Sequence, residues 1–264
     1  MIDFLEFTSW KMEVTNLYSF EHIAIIVFAL LISFSTAYFF RNLNNKKSKM
    51  MFGIISLFLL ISEVYKELFL SLTVYKRYCW EDFPFQLCSI GMYLYFFIFI
   101  SKNKKINEII YTFIATYNLL GGITALIIPI DIFNQYITLT IHSILWHMIL
   151  CFVGFYTIFS QKCSSDIFIF CKASVLYIIF TVIAYILNFS FMKISKNNMT
   201  LFFIGPGKSY IPFFSLISEN FGQLAETLIY TIIVMLFSFL IFGVQKKCLK
   251  SFVIENHTQK KEQC

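Results

Sequence analysis

The sequence predicts an all-α fold, a polytopic membrane helical bundle with about seven transmembrane helices. Of its 264 residues, 58% are hydrophobic and only 14% are charged, whereas soluble domains average roughly 45–50% apolar and about 25% charged residues. Several stretches stay apolar over the ~20 residues that a helix needs to cross the hydrocarbon core of a bilayer. A soluble domain would expose much of this surface to water, at about 1.5–3 kcal/mol for each large side chain, so the composition excludes the soluble classes.

Seven segments have the required length and apolar character. The first is an unbroken apolar run, the second carries three charged residues, and the third opens at a proline, which suits a first helical position. The fourth contains two adjacent glycines and ends near Pro129, the fifth contains two histidines, and the sixth is apolar apart from Lys172 and a few uncharged polar residues. The seventh is long enough to begin as an interfacial piece. Their predicted bounds are 23–40, 51–72, 84–100, 109–130, 136–159, 167–191 and 212–242.

The distribution of positive charge predicts the organisation and orientation of the chain. We expect a single transmembrane helical domain over residues 1–245 and a short basic cytoplasmic tail over residues 246–264. When the segments alternate in direction, 14 of the 21 Lys and Arg residues fall on the side of the C-terminus. Because positive charge collects on the cytoplasmic side, we expect a multi-pass protein of the cell membrane with its N-terminus outside and its C-terminus in the cytoplasm.

Polar side chains within a membrane-spanning segment are costly, so each is expected to have a hydrogen-bonding or ionic partner or a functional role. Glu63, Lys66 and Glu67 in the second segment are spaced so that the lysine reaches either carboxylate, which predicts an ion pair near the outer end of that helix. Gly121 and Gly122 allow two helices to approach closely, and hydrogen bonds between helices explain most of the other polar side chains.

Cys88 lies about one turn inside the predicted third helix. The free N–H groups and the dipole of a helix N-terminus stabilise negative charge, which favours a reactive thiolate at this position. Asp82, which precedes the helix, acts in the opposite sense. Since a buried cysteine is also common as a small packed hydrophobe, the residues alone leave both interpretations open.

Two histidines in the fifth segment are candidates for a base. His142 and His147 are five residues apart, so they point to different faces of a helix, and at most one should face Cys88. At 1.5 Å per residue from the predicted helix starts, Cys88 lies about 6 Å down its helix, His142 about 9 Å and His147 about 16 Å. Cys151, one turn after His147, offers that histidine a local contact with a thiol instead.

Four short motifs follow one another at a defined spacing. They are Pro84-Phe85-Gln86-Leu87-Cys88-Ser89, then Gly121-Gly122 with Ala125 and Pro129, then His142-Ser143-Ile144-Leu145-Trp146-His147 with Gly154 and Tyr156, then Asn197-Asn198-Met199 before Gly205-Pro206-Gly207. In order and spacing this set resembles the YwaF-type integral membrane proteins, a family that includes the transmembrane protein 164-like acyltransferases. The resemblance covers most of the chain from about residue 80.

The resemblance implies a membrane-embedded phospholipid acyltransferase. In such an enzyme a cysteine takes an acyl chain from a phospholipid as a thioester and passes it to a lysophospholipid. The catalytic residues would be Cys88 and His147, because His147 precedes Tyr156 by nine residues as in the family pattern. One departure is Gln86, where the family often has a histidine, and glutamine cannot act as a base near neutral pH.

Other polar groups should support the reaction, for example as donors to the developing oxyanion. The candidates, which the sequence does not rank, are Gln86, Ser89, Asn118, His142 and Asn197. Phospholipids and lysophospholipids are the expected partners, as substrates, and we expect no cofactor, no metal and no nucleic acid. The alternatives are a lipid hydrolase that uses the same Cys88 and His147, and a small-solute transporter, for which the sequence offers no inverted repeat.

Overall fold

The computed structural model describes residues 2–128, 132–196, 199–205 and 212–262. Within these ranges the chain is helical, with no β-strand and one isolated antiparallel bridge between Lys11 and Tyr136. The predicted all-α fold class is therefore confirmed. The α-helices are α1 (Ile2–Phe7), α2 (Phe20–Phe40), α3 (Asn45–Phe69), α4 (Leu87–Ile100), α5 (Lys104–Phe113), α6 (Leu119–Ile127), α7 (Ile137–Phe159), α8 (Ile167–Ser190), α9 (Pro212–Phe221) and α10 (Gln223–Glu262).

Short irregular turns interrupt or extend this pattern. A π-helical turn, Leu70–Val74, extends α3, and a second one, Ile114–Asn118, joins α5 to α6 into one continuous rod. Two 3₁₀ turns, Trp80–Asp82 and Leu201–Phe203, lie in the connections that precede α4 and α9. Both connections bear on the candidate site described below.

Among the described residues, five helical stretches are long and apolar enough to cross a membrane: Phe20–Phe40, Lys104–Ile127, Ile137–Phe159, Ile167–Ser190 and Gln223–Lys250. Large apolar side chains cover their surfaces; Phe20, Phe39 and Phe168 are 83%, 78% and 73% exposed. A continuous apolar surface of this kind suits lipid. The chain is a multi-pass membrane protein, but the structure does not establish the number seven, because α3 is outside this set and α4 has only 14 residues.

The second and fourth predicted segments begin earlier in the structure, at Asn45 and Lys104, and the third and seventh differ in ways that change the fold. The third was expected to start at Pro84, but α4 starts at Leu87, after a non-helical connection. The seventh is divided at Gly222, whose φ of +83° is left-handed and costs glycine little. That turn separates α9 from α10, and α10 continues past residue 245, so the predicted tail prolongs the last helix.

α4 is held at close range by α7 and by the second π-helical turn. Gly91 permits this approach, because a Cβ atom there would lie 2.6 Å from Asn118 Oδ1 and 3.1 Å from Leu150 Cδ2. One turn further along α4, the Tyr95 hydroxyl donates a hydrogen bond to Asn118 Oδ1 at 2.6 Å. These contacts fix the height of α4 relative to its neighbours, and so the height of the residues in its first turn.

Candidate active site

Cys88 lies in the first turn of α4 as a half-buried free thiol. Gln86 caps the helix, and its carbonyl accepts hydrogen bonds from the N–H groups of Ser89 at 2.9 Å and Ile90 at 3.2 Å. The indole Nε1 of Trp146 on α7 donates to the Cys88 carbonyl at 3.3 Å. The N–H groups of Leu87 and Cys88, which precede Ser89 and Ile90, have no acceptor within the helix, so the backbone presents two donors close to the thiol.

Cys88 lies at the level of the middle of α7. Trp146 contacts Cys88 and Leu150 contacts Gly91, so α4 and α7 run in the same direction. His147, next to Trp146 in sequence, is therefore within about one helical turn of the level of Cys88, and its one hydrogen bond among the described residues is to Ser143. The depth difference of about 10 Å expected from the predicted helix starts was wrong. The reason is that α4 begins inside the bundle, so its first turn is level with residues well along α7.

His147 is buried, and one hydrogen bond determines which of its nitrogens carries the proton. Its Nδ1 lies 2.7 Å from the Ser143 carbonyl oxygen. Since a carbonyl only accepts, Nδ1 is the donor and Nε2 keeps a lone pair that can take up a proton. One turn later, Cys151 packs on α6, where a Cβ atom at Gly122 would lie 2.9 Å from its Sγ.

His142 faces a different neighbour. Its Nε2 lies 3.9 Å from Glu63 Oε2 on α3, and its ring centroid lies 5.5 Å from that of Trp146. The two histidines thus point to different faces of α7 and flank the tryptophan that contacts Cys88. This arrangement does not support a catalytic role in which both histidine rings act together on one face of α7.

A cluster of charged side chains at the end of α3 lies within electrostatic reach of the Cys88 thiol. Lys66 Nζ lies 2.7 Å from Glu63 Oε1 and 3.7 Å from Glu67 Oε1, so the predicted ion pair is confirmed. In the connection after α3, burial raises the pKa of Tyr78 to about 12, and the nearby Glu67 carboxylate acts in the same direction. Tyr78 therefore remains a neutral phenol at physiological pH.

The Gln86 side chain is occupied by the backbone of a distant segment. Its Oε1 accepts a hydrogen bond from the Phe202 N–H at 2.7 Å, and its Nε2 donates to the Thr200 carbonyl at 3.3 Å. Both ends of the amide are used. Gln86 therefore attaches the start of α4 to residues 199–205.

Asn188 on α8 fixes the same segment from the other side. Its Oδ1 accepts from the Leu201 N–H at 2.9 Å, and its Nδ2 donates to the Leu201 carbonyl at 3.1 Å and to the Ile204 carbonyl. Phe202 and Phe203 have φ values of +57° and +56°, a strained conformation that costs about 1–3 kcal/mol each. Irregular backbone is tolerated at membrane depth only where its polar groups are hydrogen-bonded. The side-chain amides of Gln86 and Asn188 make those hydrogen bonds here.

The remaining supporting candidates are placed unequally. Asn118 is fully buried at the end of the second π-helical turn, and its Nδ2 has no hydrogen-bond partner among the described residues. Ser89 is buried on α4 next to Cys88. Asn197 lies outside the described residues. Where the structure describes the chain, no three His, Cys, Asp or Glu side chains are arranged to hold a metal ion.

Sequence reasoning missed the contacts that join different helices. The approach of His142 to Glu63 and the two-sided hold of Gln86 on Thr200 and Phe202 have no local sequence signal. The nearest hint was the presence of these polar side chains in apolar segments, which indicates a partner without identifying it.

A family model described as the TMEM164 family matches residues 17–221. This span is more than half of the chain and includes Cys88, both histidines of α7 and Gln86. No curated protein and no solved structure matches the chain.

Proposed function

This chain belongs to the TMEM164 family, and on that premise we propose that it is a membrane-embedded phospholipid acyltransferase. One observation carries the proposal: the Cys88 thiol lies at the start of α4, between the charged cluster on α3 and the apolar surfaces of the bundle. A phospholipid likewise joins a polar headgroup to apolar chains through its ester groups, so an acyl chain that lies along the apolar surfaces, with its headgroup towards the charged cluster, would bring an ester carbonyl to the thiol. Because Cys88 is level with the middle of α7, the acyl donor has to enter the bundle to reach it.

The reaction consists of two transfers with one base. His147 takes the Cys88 proton at Nε2, and the thiolate sulfur attacks the ester carbonyl carbon of a phospholipid. The bond from that carbon to the glycerol oxygen breaks, and the oxygen leaves as the hydroxyl of a lysophospholipid with the proton from His147. In the second half, the hydroxyl of another lysophospholipid gives its proton to His147 and attacks the thioester. The thiol is restored, and no cofactor is consumed.

The supporting groups have separate tasks in this proposal. Gln86 holds the 199–205 segment against the start of α4, so that the helix and its first N–H groups stay in place. His142 lies beside Glu63 and contributes to the polar end of the site. Because glutamine has replaced the family histidine at position 86, the base is assigned to His147, whose Nε2 lone pair is available.

The test uses purified protein and a phospholipid with a clickable acyl chain, first without a lysophospholipid acceptor. We expect acyl label on the chain that hydroxylamine removes, as it does for a thioester, and that intact mass and peptide mapping assign to Cys88. Cys88→Ala should abolish the label. Cys171→Ala, which removes an exposed thiol on α8, should keep it.

Adding a lysophospholipid separates the remaining possibilities. A labelled phospholipid product supports acyl transfer, whereas labelled free fatty acid as the main product would assign the same thioester to a hydrolase. Folded wild-type protein that never acquires hydroxylamine-sensitive label would overturn the proposal and leave the transporter alternative standing.

A further inference from the structure

A buried amide nitrogen near the nucleophile has no hydrogen-bond partner. Asn118 is 0% exposed, and its Nδ2 bonds to nothing in the part of the chain that the structure describes. An unpaired buried donor costs about 1–3 kcal/mol, and the hydrocarbon region offers no water to offset this. We therefore expect this unpaired donor to have a functional role.

The amide is held in one orientation. Its Oδ1 accepts from the Tyr95 hydroxyl at 2.6 Å, so the opposite side of the amide carries the free N–H groups. The π-helical turn Ile114–Asn118 places Asn118 against α4, where Gly91 leaves room for it. π-helical turns are rare and often occur at functional sites.

Gly91 also locates the amide relative to the nucleophile. Residues three apart on a helix are neighbours on one face, so Cys88 lies on the α4 face adjoining the point where Asn118 approaches. The Asn118 amide, whose Oδ1 is the atom that meets Gly91, thus lies about one helical turn from Cys88, with Nδ2 on the side away from Tyr95. The Asn118 amide is also held by Tyr95, which lies outside the first turn of α4.

The other candidates for an oxyanion donor are engaged or differently placed. Both ends of the Gln86 amide bind the backbone at Thr200 and Phe202. His142 Nε2 also has no hydrogen-bond partner among the described residues, but it lies 3.9 Å from Glu63 Oε2, and the negative charge of that carboxylate would oppose an oxyanion beside it. Among the described amide side chains of the candidate site, Asn118 is the one with an unused donor.

We infer that Asn118 Nδ2 is an oxyanion donor of this site. The inference rests on the proposed acyl transfer. When the Cys88 sulfur bonds to the ester carbon, the C=O π electrons move to the carbonyl oxygen, and Asn118 donates a hydrogen bond to that anion. When the C=O bond re-forms, the glycerol oxygen leaves and the hydrogen bond weakens. The backbone N–H groups of Leu87 and Cys88, at the start of α4, supply further donation.

Two rates measured on the full chain test this role. The first is acylation of Cys88 by the clickable phospholipid. The second is alkylation of Cys88 by iodoacetamide, a substitution at a CH2 carbon in which no oxyanion forms. The variants are Asn118→Leu, which keeps the approximate size without a donor, Tyr95→Phe, which releases the anchor of the amide, and Thr116→Val as the matched control. Thr116 is buried in the same turn, and its hydroxyl bonds to its own helix.

We expect Asn118→Leu to slow acylation by about 10²–10³-fold, the usual effect of removing one oxyanion donor. Alkylation should stay within about twofold of wild type, because the thiol and its base are unchanged. Tyr95→Phe should slow acylation by a smaller factor and likewise spare alkylation. Thr116→Val should keep both rates.

Several outcomes would overturn the inference. Acylation of Asn118→Leu at the wild-type rate would remove the donor role, and an equal loss of both rates would make Asn118 structural. If Asn118→Leu does not fold, Tyr95→Phe decides by the same pair of rates. Wild-type protein that alkylates at Cys88 but never acylates would instead overturn the proposed function, and the inference with it.

Discussion

At the scale of single residues, the replacement of a family histidine by Gln86 determines where the base can be. The Gln86 amide accepts from the Phe202 N–H and donates to the Thr200 carbonyl, so it works as a clamp between α4 and the 199–205 segment. Glutamine does not take up a proton near neutral pH. A thiol acyltransferase with this sequence therefore needs its base on α7, where His147 lies within about one helical turn of the level of Cys88.

The two histidines of α7 should differ in their effect on the thiol. We expect His147→Gln to slow acylation of Cys88 by about 10²–10⁴-fold, the usual contribution of a general base. We expect His142→Gln to have a smaller effect, because its ring approaches Glu63 at 3.9 Å. The measurement is the initial rate of thioester formation in the two purified variants, matched for detergent and lipid.

Thermal unfolding of both variants provides the control. A variant that melts like wild type and loses acylation has lost chemistry and not structure. The opposite ranking, with His142→Gln the more damaged of two folded variants, would move the base to His142 and contradict the assignment taken from the resemblance.

The sequence predicts pairings within one helix better than contacts between helices. The Glu63–Lys66 ion pair and the divergence of the two histidines follow from helical spacing, which is a local rule. The hydrogen bonds from Tyr95 to Asn118 and from Phe202 to Gln86 depend on how separate parts of the chain pack together. No periodicity along the chain contains that information, so these contacts are visible only in the fold.

At the scale of helices, the adjacent glycines of α6 have different neighbours. A Cβ atom at Gly122 would lie 2.9 Å from Cys151 Sγ and 3.2 Å from the Cys151 backbone nitrogen, whereas one at Gly121 would meet only Leu87 Cγ, at 3.9 Å. At Gly122 the contact with Sγ is too close for a carbon atom, and the contact with the backbone nitrogen is tight and cannot be relieved by a change of rotamer. The contact at Gly121 is an ordinary one.

This difference predicts opposite effects for two neighbouring substitutions. Gly122→Ala should destabilise the protein by about 1–3 kcal/mol, because it pushes α6 from α7. Gly121→Ala should be neutral or stabilise by about 0.5–1 kcal/mol, since alanine loses less backbone freedom in a helix. Unfolding midpoints in detergent measure both. Equal midpoints for the two variants would show that α6 does not pack on α7 as described.

Helix existence was easier to predict than helix starts. Long apolar runs predicted the rods, and most bounds agree within a few residues. The start of α4 was wrong because Pro84 satisfies the rule for a first helical position, although the chain is still in a connection there. Gln86 has an extended backbone, with φ of −81° and ψ of 162°, so the helix begins at the next residue.

At the scale of the whole molecule, the two ends of the bundle carry different chemistry. One end, at the start of α4 and the end of α3, contains Cys88 and the charged cluster with one lysine between two carboxylates. The other end, around the start of α5, is rich in lysines, where Lys49 donates to the Ser101 carbonyl and Lys162 donates to Asn45 at 3.2 Å. The positive-inside rule predicts the orientation of the chain from such an unequal distribution of lysines.

The asymmetry predicts that the end with Cys88 faces the outside of the cell. Arg77, in the connection before α4, and Lys102, in the connection before α5, are exposed at opposite ends. In a chain with Cys171→Ala, a membrane-impermeant maleimide added to intact cells should label Arg77→Cys directly and Lys102→Cys only after permeabilisation, with the Cys171→Ala parent as the background. The reverse pattern would place the active end in the cytoplasm. Acyl donors would then come from the inner leaflet. The positive-inside rule would have failed because the buried Lys66 belongs to an ion pair, so its charge does not determine on which side of the membrane the neighbouring loop lies.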